Sequence, residues 1–218
     1  MPATAHKCRD LPTSASQNGT SARRSWRSDR DFQATRQTDR VERGIILRTA
    51  RLSVATWLPT DLDDLNRLHS DPLTMAFIGG RPEARDESAA RLDRYLDEQA
   101  TRGWTKWRVA DTGNQMIGRA GFGLYAQDRE LGYTIGRDLW GQGLATEVAT
   151  ALVAWHSANP ASRSSNAAGA MRLWGYAAVE NVASIRVLTK SGLHLIETRE
   201  HAGRPYAFFR LETDTPEA

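Results

Sequence analysis

The segment Glu130–Glu147 (ELGYTIGRDLWGQGLATE) holds the residues whose types and spacing best suit chemistry. A strand-like run leads into two closely spaced glycines, Gly141 and Gly143, and a helical pattern begins at Leu144. The first amides of a helix lack carbonyl partners, and the helix dipole favours an anion beside them. Because glycine has no side chain, a diphosphate could approach this backbone closely. The segment predicts an anion site, although a glycine pair alone is equally typical of a tight turn.

Other phosphate-binding motifs fit this loop poorly. No Gly-Lys-Ser/Thr ending follows the glycines, as a P-loop would require. The third glycine of the dinucleotide fingerprint is missing, and the preceding runs are typical of hairpins rather than a βαβ unit. A second segment supports an anion site over a simple tight turn. In it, Asn181 opens a short helical run that ends at Ser191 and Gly192.

Four stretches occur in a fixed order along the chain. They are Leu47–Leu52 (LRTARL), Glu130–Tyr133 (ELGY), Trp140–Glu147 (WGQGLATE) and Asn181–Leu193 (NVASIRVLTKSGL). Together they resemble the GNAT superfamily of acetyl-CoA-dependent N-acetyltransferases, and within it the branch that acetylates ribosomal-protein N-termini. The resemblance covers about residues 47–212. It implies an α/β fold with a mixed, mostly antiparallel sheet that is splayed at the cofactor site and flanked by helices.

The resemblance also implies where acetyl-CoA, the expected co-substrate, would bind. Two splaying strands would expose backbone groups to the pantetheine arm, and Asn181 is similar to the family asparagine that reaches the pantetheine or the diphosphate. On the first of these strands the expected contacts are Tyr133, Thr134 and Ile135. In the loop and first helical turn they are Trp140, Gly141, Gln142, Gly143, Leu144, Ala145 and Thr146. No metal is expected, because the five histidines and one cysteine show no zinc-like spacing.

Two residues are candidates for proton transfer by the same resemblance. Glu130 occupies the family position where a carboxylate often accepts the proton of the amine, although such a glutamate is also typical of a solvated or ion-paired residue. Many members place a tyrosine four residues after the position of Ser184, where this chain has Leu188. Ser184 is therefore expected to donate or relay a proton. Equally, it fits a first-turn serine that satisfies a backbone amide.

The function that follows is acetyl transfer to a primary amine, by direct attack of the amine on the thioester. The acceptor is either a protein N-terminal α-amine or a small-molecule amine, and the family is compatible with a homodimer. The alternative is a non-catalytic, regulatory acyl-CoA-binding module, because Leu188 replaces the usual tyrosine. A third hypothesis is a nucleic-acid-associated protein that uses a basic tail.

Charge and hydropathy bear on these alternatives. The net charge is +3, but residues 1–46 carry nine basic and five acidic residues, so the remainder is nearly neutral. This argues against a nucleic-acid-binding face on the folded part. No apolar run approaches the length that a membrane span requires, and no secretory signal is visible. These observations predict a cytoplasmic protein without a membrane partner.

The elements that must position the site follow from periodicity. Residues 1–46 are predicted to be a mostly disordered extension, residues 47–212 the acetyltransferase domain and residues 213–218 a C-terminal tail. Strands are predicted at 47–58, 104–110, 115–123, 131–135, 171–177, 193–198 and 206–211. Helices are predicted after Thr60 and over 83–101, 144–157 and 182–191, with a polar linker over 158–170.

Overall fold

An eight-stranded sheet runs through the residues that the computed structural model describes, which are 42–159, 171–201 and 203–212. Its strands are β1 (Ile45–Arg48), β2 (Leu52–Ala55), β3 (Lys106–Asp111), β4 (Met116–Tyr125), β5 (Asp128–Ile135), β6 (Leu173–Ala178), β7 (Leu193–His201) and β8 (Arg204–Leu211). They are arranged in the order β1-β2-β3-β4-β5-β6-β8-β7. Every neighbouring pair is antiparallel except β5 and β6, which are parallel. The predicted mixed, mostly antiparallel sheet is confirmed.

Helices cover both faces of this sheet. They are α1 (Leu62–His69), α2 (Pro72–Met75), α3 (Arg85–Arg102), α4 (Leu144–Ala158) and α5 (Val182–Lys190), with single 3-10 turns at Pro59–Asp61 and Arg137–Leu139. Along β3 the side chains alternate between the faces, as strand geometry requires. Trp107 is buried in the cluster that includes Val148 of α4, whereas Arg108 lies near Asp61, next to α1. No helix in the described ranges is both long and apolar enough to cross a bilayer.

Local signals account for most element boundaries. Apolar residues four apart, Leu144, Val148 and Leu152, form the buried face of α4. The hairpin between β3 and β4 turns at Asn114, which adopts φ 64°, a conformation that asparagine tolerates better than most residues. Gly103 ends α3 in the left-handed conformation at φ 74°.

The N-terminal part of the domain differs from the prediction. The predicted strand over residues 47–58 is two strands, β1 and β2, because the chain turns back between Arg48 and Leu52. The Thr49 hydroxyl supports this turn by accepting a hydrogen bond from the Leu52 amide at 3.0 Å. Strand β1 begins at Ile45, two residues before the predicted start of the domain. Residues 1–41, 160–170 and 213–218, on which the other predictions for the tails and the linker fall, lie outside the described residues.

The parallel strands β5 and β6 pair only at their beginnings. Their paired positions are Arg129 with Leu173 and Glu130 with Trp174. Beyond Glu130, β5 stays paired with β4 as far as Ile135, while β6 pairs with β8. The carboxyl-terminal halves of β5 and β6 therefore diverge, which confirms the predicted splay in the sheet.

Candidate functional site

A tyrosine links the two arms of the splay. Tyr133 lies on the diverging half of β5, and its hydroxyl donates a hydrogen bond of 2.9 Å to the backbone carbonyl of Ser184 in the first turn of α5. Burial raises the pKa of Tyr133 well above its ordinary value; the hydrogen bond to Ser184 opposes this, and the charge of Glu130 adds to it. The hydroxyl is therefore a protonated donor held between strand and helix.

The predicted anion loop has the backbone that close approach requires. Gly141 and Gly143 have φ 77° and 76°, in the left-handed region that favours glycine. A Cβ atom placed on Gly141 would meet no atom within 4 Å. The first i to i−4 bond of α4 runs from the Glu147 amide to the Gly143 carbonyl at 3.0 Å. The three helical amides before it, those of Leu144, Ala145 and Thr146, precede that ladder, and amides at this end of a helix favour an anion.

An arginine from the distant β1–β2 turn holds this loop in place. The Arg51 Nε donates to Glu147 Oε2 at 2.6 Å, and its Nη1 donates to the Gln142 carbonyl at 3.0 Å. The Thr49 hydroxyl donates to the other Glu147 oxygen at 2.5 Å. The pKa of Glu147 is lowered because these hydrogen bonds outweigh its partial burial, which favours the neutral acid. The side chain of Arg51 remains half-exposed beside Gly143.

The end of β5 is closed by Trp140. The indole Nε1 donates to the Ile135 carbonyl at 2.7 Å, and the residue is 51% exposed. Thr134 and Ile135 are buried and pair with Arg119 and Gly118 of β4. The predicted pantetheine contacts and the predicted pyrophosphate loop are therefore adjacent, joined by one side chain.

Glu130, the predicted proton acceptor, is buried in an ion pair. Its Oε2 lies 2.8 Å from Nζ of Lys106 on β3, two strands away. Two glycines leave room for this contact across β4 and β5. A Cβ atom on Gly132 would lie 2.4 Å from Cε of Lys106, and one on Gly123 would lie 2.6 Å from the Glu130 Oε2. The sequence left open whether Glu130 is ion-paired, and the structure shows that it pairs with Lys106.

The helix after β6 places the other two predicted residues. The Asn181 Oδ1 accepts a hydrogen bond of 3.1 Å from the Ser184 amide, so this side chain caps α5. Leu188 is 1% exposed, and a Cβ atom on Gly175 of β6 would lie 2.6 Å from its Cδ2. Leu188 is thus core packing between α5 and β6. The Tyr133 hydroxyl reaches the first turn of α5, where Ser184 carries a second hydroxyl.

The structure brings Glu130, Tyr133 and Ser184 to the splay, but from two sides of the sheet. Tyr133 packs against the cluster under α4 and α5, whereas Glu130 lies on the opposite face with Lys106. Lys106 and Arg51 were missed by the sequence reasoning, since only strand register and tertiary packing bring them to Glu130 and Glu147. Within the described ranges, no group of three or more His, Cys, Asp or Glu residues could hold a metal ion.

Comparisons with known proteins bear on this site. The family model described as "Acetyltransferase (GNAT) domain" matches residues 51–194. A protein of Bacillus licheniformis named "Uncharacterized N-acetyltransferase p20" is 31% identical over 115 residues. That match spans 49% of this chain and 63% of the relative, which is less than two thirds of the relative's length.

Solved structures share the fold at low sequence identity. An acetyl transferase from Salmonella typhimurium, described as modifying the N-terminal serine of ribosomal protein L7/L12, has a TM-score of 0.65 and 16% identity, over 78% of this chain and 99% of that one. A RimL ribosomal L7/L12 α-N-protein acetyltransferase in complex with coenzyme A has a TM-score of 0.63 and 17% identity, over 76% and 96%. A putative GnaT-family acetyltransferase from Bordetella pertussis has a TM-score of 0.64 and 20% identity, over 78% and 100%. At these identities the similarity establishes the fold.

Proposed function

Because the chain belongs to the GNAT acetyltransferase family, whose model matches residues 51–194, we propose that it transfers an acetyl group from acetyl-CoA to a primary amine. The observation that carries this proposal is the splay between β5 and β6 opening beside the start of α4. A splay offers unpaired backbone groups to an extended amide chain, and the helix start offers amides to a diphosphate.

Each part of acetyl-CoA then has candidate partners in this chain. The pyrophosphate is bound by the amides of the loop and first helical turn, and Arg51 adds a positive charge beside Gly143. The pantetheine arm lies along β5 at Tyr133, Thr134 and Ile135. The Asn181 oxygen is already used as the cap of α5, so its amide nitrogen is the group left to donate to the cofactor. A structural neighbour has been solved in complex with coenzyme A, which supports a coenzyme A thioester as the donor.

Acetyl transfer itself needs positioning and two proton movements. The neutral amine attacks the thioester carbonyl carbon, the C–S bond breaks, and the amide forms. Glu130 accepts a proton from the amine, while Tyr133, held on Ser184, or the Ser184 hydroxyl returns one to the leaving thiolate. Since Glu130 and Tyr133 lie on opposite sides of the sheet, base and acid act on the thioester from opposite faces.

The acceptor that the comparisons favour is a protein N-terminal α-amine. The Salmonella neighbour is described as modifying an N-terminal serine, which supports a peptide acceptor for this chain. A second function, a non-catalytic acyl-CoA-binding module, is favoured by the ion pair between Glu130 and Lys106, because a paired carboxylate is a less available base. Small-molecule amines are the alternative acceptors, and they are tested beside the peptides.

Thiol release with the purified full chain distinguishes these functions. Acetyl-CoA is offered with peptides that begin in serine or alanine, with the same peptides blocked at the N-terminus, and with simple amines. We expect release only with free N-terminal peptides. Tight acetyl-CoA binding without release on any amine would establish the non-catalytic module instead, and release with simple amines alone would exclude the protein acceptor.

A further inference from the structure

The ammonium group beside Glu130 is chemically unusual for this protein. The sequence contains only three lysines, Lys7, Lys106 and Lys190, among its 29 lysine and arginine residues. Arginine stays protonated in proteins, whereas a lysine amine can lose a proton and become a nucleophile. The cationic side chain that pairs with Glu130, the carboxylate proposed as base, is therefore one of the few in this chain that can become a nucleophile.

The position of this amine is set by the sheet. Lys106 pairs with Gly121 of β4, which pairs with Gly132 of β5, so its side chain crosses two glycines to reach Glu130. A Cβ atom on Gly132 would lie only 2.6 Å from Nζ of Lys106. The amine is thus held over β5, the strand that forms one arm of the splay. Its side chain is 23% exposed and that of Glu130 is 9% exposed.

We propose that Lys106 is itself an acetyl acceptor, so that the protein modifies its own Lys106 when acetyl-CoA is present without another amine. This inference rests on the proposed function, because it requires acetyl-CoA in the splay. The Lys106 ammonium passes one proton to Glu130, and the free Nζ forms a C–N bond with the thioester carbonyl carbon. The C–S bond breaks, the leaving thiolate takes the second proton from nitrogen, and Glu130 returns its proton to water. The products are Nε-acetyl-Lys106 and coenzyme A.

Two physical effects favour this reaction over attack from solution. Nζ is fixed beside both the base and the splay, so no translational entropy is lost in bringing the nucleophile to the site. Covering the site with acetyl-CoA removes water from a nearly buried ion pair, which favours proton transfer to the neutral acid and amine. The product no longer carries the charge that pairs with Glu130. The modification would thereby record acetyl-CoA supply when no acceptor is present.

The test is to incubate the full chain with acetyl-CoA alone and to follow each lysine by mass spectrometry of proteolytic peptides. Lys190 is exposed at the end of α5, so its labelling measures uncatalysed acetylation within the same molecule. We expect Lys106 to gain an acetyl group at least about tenfold faster than Lys190. Glu130→Gln is expected to reduce the Lys106 rate to that of Lys190, since the proton acceptor is lost.

Two glycine substitutions, one the test and the other its control, check the position of the Lys106 side chain. Gly132→Ala forces the Lys106 side chain aside, since the added atom would lie 2.4 Å from its Cε, and should slow the labelling of Lys106. Gly136→Ala, just after the same strand, would meet its nearest neighbour at an ordinary 3.5 Å and should leave the labelling unchanged. Equal effects of the two variants would overturn the proposed geometry.

Thiol release with a peptide acceptor and direct acetyl-CoA binding, measured in parallel, separate this inference from the proposed function. An unmodified Lys106 in a protein that turns over peptides would refute self-acetylation and leave the function intact. Labelling of Lys106 at the Lys190 rate, unaltered in Glu130→Gln, would also refute it. Failure to bind acetyl-CoA at all would overturn both.

Discussion

The Tyr133 hydroxyl on β5 donates a 2.9 Å hydrogen bond to the carbonyl of Ser184 in the first turn of α5, the helix that follows β6. The same side chain therefore couples one arm of the splay, β5, to the helix that follows the other arm, β6. Because the bond uses the backbone of Ser184 rather than its hydroxyl, the two candidate proton donors can be separated by substitution.

Tyr133→Phe should lower turnover by about a hundredfold if Tyr133 protonates the thiolate. The lost hydrogen bond should also reduce the free energy of unfolding by about 1 kcal/mol. Ser184→Ala keeps the carbonyl and thus the tyrosine bond, and is expected to retain most of the turnover. Steady-state rates and urea unfolding of both variants check this. The opposite ranking of rates would assign the proton to Ser184.

Gly143→Glu should weaken acetyl-CoA binding by at least about tenfold, because it places charge and bulk against the diphosphate. Part of its effect will be backbone strain, since Gly143 has φ 76°. Gly103→Glu is the matched control, as Gly103 has φ 74° at the end of α3. Calorimetric titration with acetyl-CoA should find the control unchanged. An unaltered dissociation constant for Gly143→Glu would place the cofactor elsewhere.

Arg51→Ala should raise the KM for acetyl-CoA roughly three- to tenfold, with a smaller change in kcat. The substitution removes both the contact to the Gln142 carbonyl and the ion pair with Glu147, so the loop loses its support from the β1–β2 turn. Arg48→Ala, at an exposed position of the same hairpin, serves as the control. Equal KM values for the two variants would show that Arg51 has no part in cofactor binding.

Stability should fall as the pH drops from about 6.5 to about 4, through His69. Burial, followed by the charge of Arg119, lowers the pKa of His69 to about 4 in the folded protein, against 6.5 when unfolded. In this window the unfolded chain binds the extra proton, so the folded state loses about 3 kcal/mol on acidification and keeps the full contribution above it.

The contacts of His69 show which ring nitrogen carries the proton in its neutral form, and they suggest a substitution that tests its role. Arg119 Nε donates to His69 Nε2 at 3.0 Å, so the proton lies on Nδ1, which faces Glu83 at 2.9 Å. His69→Gln can form both contacts without titrating, and should flatten the pH dependence. Chemical unfolding between pH 4 and pH 7 measures this, and equal slopes for both proteins would contradict the assignment.

Local chemistry made much of the fold predictable. The four-residue spacing of apolar side chains predicted α4, and the glycine pair predicted a tight loop before it. The turn residues 111–114 between the predicted strands 104–110 and 115–123 indicated the β3–β4 hairpin. These signals act over a few residues, so a single chain displays them without its partners. The prediction of one strand over residues 47–58 was wrong because the turn is supported by the Thr49 side chain, whose second partner is the distant Glu147.

From the sequence alone, residue type and short spacing predicted the helix start and the loop, and the family resemblance implied the candidate carboxylate and hydroxyl of the site. Tertiary structure alone decided what those groups contact. Glu130 acquires its charge partner from Lys106 through the register of β3, β4 and β5, and Glu147 acquires Arg51 from a turn 96 residues earlier. Electrostatic contacts depend on distance in space rather than along the chain. The sequence therefore predicted which groups are present, and only the packed sheet showed that the proposed base is paired with an amine.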